Sequence, residues 1–120
     1  MHAALKGLDS ADFDPATYWP EDETCFCLWV EMTIGVAGGQ GGDLFQMKIC
    51  TPEWIRKEYG TLTGVFPSDM LIVFEYDWKK IEHFLRERIG RLSGESWSDL
   101  VEQIRRFASW EFDRYPQPKD

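Results

Sequence analysis

The residues best equipped for chemistry are three cysteines, two histidines and several clusters of carboxylates. Cys25-Phe-Cys27 would set two thiols on one side of a strand, and an antiparallel pairing whose partner numbers sum to about 77 sets Cys50 opposite Cys27. Three thiols invite a metal, but no histidine is near them and the usual two-residue spacer of zinc sites is absent. The expectation is structural thiols, buried or partly buried, with no metal, no redox chemistry and no cofactor. His2 sits near the N-terminus, where chain ends are mobile. His83 falls in a helical pattern beside Phe84, with no partner in the sequence to make it a general base. The carboxylate pairs are Asp12 with Asp14, Glu21 with Asp22 and Glu23, and Glu111 with Asp113. Catalytic carboxylates need a cleft and divergent pKa values, and calcium sites need a ligand spacing that does not continue after Asp14. A solvated or partner-facing acidic surface suits them better, so no catalytic residue is assigned.

The glycines of GVAGGQGG at 35–42 resemble a phosphate loop only in composition. They lack GxxxxGK[ST], and the segment after them alternates like a strand instead of opening a helix. Arg86, Arg88, Arg91, Arg105 and Arg106 are interleaved with acids, and the formal net charge is −8. Both features disfavour nucleic acid as a partner. The acids concentrate early: residues 1–50 hold eight acids against two lysines. Such a surface can steer a basic protein partner. No apolar run approaches a membrane span, and MHAALKGLDS lacks a signal-peptide core, so the expected setting is the cytoplasm.

These residues need a scaffold, and its centre is a hairpin over residues 25–50. Phe26, Leu28, Val30, Met32 and Ile34 alternate along one arm, and Phe45, Met47 and Ile49 along the other. Period-two patterning on both sides of a glycine-rich loop predicts paired strands with one buried face. The opposite face then carries Cys27, Trp29 and Glu31 beside Gln46, Lys48 and Cys50. Residues 3–8 supply a first strand. Residues 9–23, with six acids and two prolines, form a long loop pinned by aromatic residues. Thr51 and Pro52 start a short helix over 52–59, packed through Trp54, Ile55 and Tyr59, with Gly60 as its cap. The run MLIVF at 70–74 predicts a buried strand. Asp77 caps a helix over 78–90 with a stripe of Trp78, Ile81, Leu85 and Ile89 or Leu92. Ser96 caps a second long helix with a stripe of Trp97, Leu100, Val101, Ile104 and Phe107 or Ala108. Trp110, Phe112 and Tyr115 suit a docked edge segment, and Pro116 and Pro118 a frayed tail.

One domain of α+β class follows, with residues 1–120 forming a small antiparallel sheet. A central hairpin lies within it, and two long helices and one short helix cover one face. Trp54, Trp78 and Trp97 fit the core. Trp19, Trp29 and Trp110 are harder to bury, and Trp29 lies on the uncovered face or under the acidic loop.

In their order, TYWPED at 17–22, CTPEW at 50–54, SW at 96–97 and WEFDRY at 110–115 resemble the Imm8 family of bacterial immunity proteins. GLDS at 7–10 and the stretch around Phe74-Glu75-Tyr76-Asp77 extend the resemblance over nearly the whole chain. It implies a cytoplasmic inhibitor from a polymorphic toxin system, such as contact-dependent growth inhibition, that binds a cognate toxin C-terminal domain. It implies an inhibitor and not an enzyme, and brings no catalytic residues. An acidic inhibitor complements a basic nuclease toxin, and on this basis Asp12, Asp14, Trp19, Glu21, Asp22, Glu23, Trp29 and Glu31 are the candidate partner-binding residues. The expected state is a monomer or weak dimer. The competing classes are a general protein-binding or adaptor domain, a small carboxylate hydrolase and a structural subunit.

Overall fold

The computed structural model describes residues 1–114; the expectations for Tyr115, Pro116 and Pro118 lie outside them. Strand β1 (Ala3–Asp9) pairs antiparallel with β2 (Cys27–Val36), which pairs antiparallel with β3 (Asp43–Cys50). The hairpin register is the one that alternation demands: Cys27 faces Cys50, Leu28 faces Ile49 and Met32 faces Phe45. All three rows therefore sum to 77. A slip of one residue would have turned Lys48 into the core. The tip turns through Gly38 and Gly41, both at positive φ (81° and 72°), which a residue with a Cβ resists.

The far edge of β3 is shared by two short strands. Strand β4 (Met70–Ile72) runs parallel to residues 48–50, and β5 (Ser109–Trp110) runs antiparallel beside residues 45–46. The sheet is thus mixed and not purely antiparallel. MLIVF is also not a buried strand: only three of its residues pair, Ile72 is 43% exposed and Phe74 is 77% exposed. It stands at the sheet edge, with no further strand pairing beyond it among the described residues.

Helix α1 (Pro52–Tyr59) is capped by Thr51, α2 (Trp78–Gly90) by Asp77 and α3 (Trp97–Ile104) by Ser96, each side chain accepting from a first-turn N–H. Gly60 closes α1 in right-handed geometry, so it is needed there for room: a Cβ would lie 2.2 Å from the Arg56 carbonyl oxygen. The core joins one sheet face to Ile81, Leu85 and Ile89 of α2 and Leu100, Val101 and Ile104 of α3. Each such burial contributes roughly 1.5–3 kcal/mol before ordering entropy is subtracted. Two expectations about the helical layer change. Helix α3 has eight residues and is not long, because the chain turns after Ile104 to deliver Ala108 to the core and Ser109 to the sheet. None of the residues of α1 is buried, so this helix contributes Trp54, Ile55 and Tyr59 only as half-buried side chains.

No tryptophan is fully buried. Trp54 rests edge-on against Tyr59, whereas Trp78 and Trp97 line the core margin. The N-terminus is held in place: the Met1 ammonium donates to the Gly94 carbonyl, and His2 bridges to Ser93.

Candidate functional site

The sheet face turned away from the helices is built by alternation. Buried residues of β2 and β3 point inward, so Trp29, Glu31, Gln46 and Lys48 point out. Trp29 is 50% exposed, and the Lys48 ammonium sits 5.4 Å from its ring centroid. Beside it, Ser10 Oγ donates to the Trp29 carbonyl at 2.7 Å, and the Asp12 N–H donates to the same hydroxyl at 3.1 Å. These bonds hold the start of the acidic loop along the rim of β2. A cleft of about 390 Å³ results, lined by Asp9, Ser10, Asp12, Trp29, Glu31 and Gln46 among others.

Of the eight sequence-predicted contact residues, the fold therefore brings Asp12, Trp29 and Glu31 to one cleft. The remaining five do not line it. The loop does not lie over Trp29; it turns toward α2. Phe13 meets Tyr18 and Trp78, while Tyr18 and Trp19 both pack edge-on against Tyr76, at 5.8 and 5.1 Å between centroids. Tyr76 is buried, donates its hydroxyl to the Tyr18 carbonyl and donates its N–H to the Glu23 carbonyl. Burial pushes its phenol up from its ordinary value. Trp19 remains 65% exposed beside Glu21, Asp22 and Glu23, which are all exposed. Asp14 and Asp22 also have local work. The Asp14 carboxylate accepts from the Ala16 N–H, and Asp22 accepts from both the N–H and hydroxyl of Thr24. Those two bonds hold the Asp22 carboxyl below its usual range.

The thiols divide as the register requires. Cys27 and Cys50 face each other with sulfurs 2.9 Å apart. Cys25 is not in the strand; it lies in the preceding turn, its N–H donating to the Asp22 carbonyl. Among the described residues, no group of three or more histidines, cysteines and carboxylates is placed to hold a metal. His83 is a surface residue 3.5 Å from Glu87. Arg86, Arg91 and Arg105 are paired with Glu82, Glu87 and Glu102 respectively. No helix among the described residues is long and apolar enough to cross a membrane.

Sequence reasoning missed a second exposed surface. Phe66 is 99% exposed on the loop before β4, with Leu62 and Val65 exposed in the same loop, and Ile72, Phe74 and Phe84 follow. The signal was present in GTLTGVFPSD, where three apolar residues stand in a segment with no strand or helix period to bury them.

The family model for immunity protein 8 matches residues 3–115. No curated protein and no solved structure matches the chain.

Proposed function

The chain belongs to the immunity protein 8 family, and from that premise we propose how it neutralises a bacterial toxin. Family membership makes it an immunity protein, the binding partner of a cognate toxin. The toxin is a basic nuclease domain at the C-terminal end of a polymorphic toxin of the kind delivered in contact-dependent inhibition. The immunity protein meets it in the cytoplasm and acts by binding, without catalysis of its own. Its docking surface is the outward sheet face with the adjoining acidic loop. Trp29 is the central anchor, with Asp12 and Glu31 beside it. Asp14, Trp19, Glu21, Asp22 and Glu23 extend the surface along the loop.

One observation carries this placement: a half-exposed tryptophan in a cleft rimmed by Asp9, Asp12 and Glu31. Exposed aromatics inside a charged rim are the usual composition of a protein-binding hot spot. The net charge of −8 supplies long-range attraction for a basic partner and competes with its phosphate substrate. The test is binding of the cognate toxin domain to the purified chain. Trp29→Ala should weaken affinity about thirtyfold or more, as hot-spot truncations do. Paired charge reversal, Asp12→Lys with Glu31→Lys, should slow association about tenfold. Unchanged rate and affinity in both variants would reject the outward face. Loss of binding in Phe66→Ala with Phe74→Ala alone would place the toxin on the β4 edge instead.

A further inference from the structure

We propose that Cys27 and Cys50 are a redox-active dithiol, which a small-molecule disulfide oxidises to a cross-strand bond at the base of the hairpin. The placement follows from strand geometry. Thr51 N–H donates to the Phe26 carbonyl at 3.1 Å, so residues 26 and 51 occupy a hydrogen-bonded row. The next row, Cys27 with Cys50, is then a non-hydrogen-bonded one, where opposed side chains approach most closely. Opposed Cα atoms in such rows stand about 4.5 Å apart, within the range that a disulfide spans without backbone movement. The two sulfurs are already 2.9 Å apart, inside their van der Waals contact. Cys25 has no opposed strand residue and does not share this geometry.

The two thiols are also unequal in the way a dithiol exchange uses. Cys27 is half-buried and Cys50 is fully buried, so Cys27 meets a reagent first. The hydrogen bond from Cys50 and, secondarily, the nearby Lys48 ammonium hold the Cys27 thiol below its ordinary range. Sharing that bond, together with burial, pushes the Cys50 thiol up. Thiolate character at the accessible sulfur favours it as the attacking group. Taking glutathione disulfide as the oxidant, Cys27 thiolate attacks one of its sulfurs, forms a mixed disulfide and releases glutathione thiolate. Cys50 then loses its proton and attacks Cys27 Sγ, expelling the second glutathione. One disulfide is reduced to two thiols, and two protein thiols become one disulfide. The inference is independent of where the toxin docks, although Cys27 lies two residues from Trp29 on the same face.

The test uses the folded full-length chain incubated with excess glutathione disulfide, followed by alkylation, intact mass and peptide mapping. The expected product has lost two hydrogens, links the Cys27 and Cys50 peptides, and keeps Cys25 alkylatable. Cys25→Ser should oxidise at the same rate, and Cys27→Ser should give no intramolecular bridge. If Cys50→Ser fails to fold, Cys27→Ser supplies the comparison, since its site is partly exposed. Three free thiols after incubation, a stable glutathione adduct, a bridge to Cys25 or a covalent dimer would each overturn the proposal. So would bridging that appears only in urea, because the folded geometry would then not be what brings the sulfurs together.

Discussion

A single carboxylate oxygen, Asp43 Oδ2, accepts from the indole N–H groups of both Trp97 and Trp110, each at 3.0 Å. It ties α3 and β5 to the tip end of the hairpin. One residue on, the Leu44 N–H donates to the Glu111 carboxylate, adding a second link from β3 to the C-terminal segment. Both indoles and the acid are partly buried, so removing the acceptor leaves two donors poorly solvated. Asp43→Ala should lower stability by about 2 kcal/mol, read as a shift in the urea midpoint at unchanged slope. Asp43→Asn keeps an oxygen acceptor and should lose less. Equal stability of the alanine variant would show the pair of bonds to be energetically idle. Nothing near Asp43 in the chain announces this role. It closes a glycine loop, where an acid reads as a turn residue, and its partners lie 54 and 67 positions away.

Thr51 belongs to two elements at once. Its Oγ1 accepts from the Trp54 N–H as the cap of α1 and from the Phe26 N–H as the last rung of the hairpin. The cap was legible in Thr51-Pro52; the sheet bond was not, because it depends on where Phe26 ends up. Thr51 is fully buried, so Thr51→Ala leaves the Phe26 N–H without its partner and should cost about 1–3 kcal/mol, with Thr51→Ser recovering most of it. Thermal melts of the two variants decide: equal losses would mean that packing of the methyl group, not the hydroxyl, holds this corner. Elsewhere the strength of the local pattern set what could be read. The long alternating arms of the hairpin admitted one register. The five apolar residues of MLIVF carry no period, and whether they are covered depends on neighbours that other parts of the chain supply.

At the scale of the molecule the charge is lopsided, with the acids of residues 9–31 gathered on a loop and a strand that adjoin one another. If the toxin is basic, association should be electrostatically steered. The association rate measured by stopped flow should fall about tenfold or more as ionic strength rises from about 0.01 M to about 1 M, while dissociation changes little. A rate indifferent to salt would remove charge steering and leave apolar docking, with the β4 edge the natural place for it. Phe66, Ile72 and Phe74 are exposed there, at 99%, 43% and 77%.

By itself the sequence determined the α+β class, the hairpin register, the three helix caps, the family and the separation of Trp29 and Glu31 from the core. Each rests on local periodicity, on capping chemistry or on ordered motifs, which act between near neighbours. Only the tertiary structure decided that β4 runs parallel at the sheet edge and that α3 stops after Ile104. It also decided that the acidic loop folds onto Tyr76 instead of over Trp29, and that Cys27 and Cys50 touch while Cys25 stands apart. These outcomes depend on contacts between segments far apart in the chain, where sidedness and reach are set by how the elements assemble.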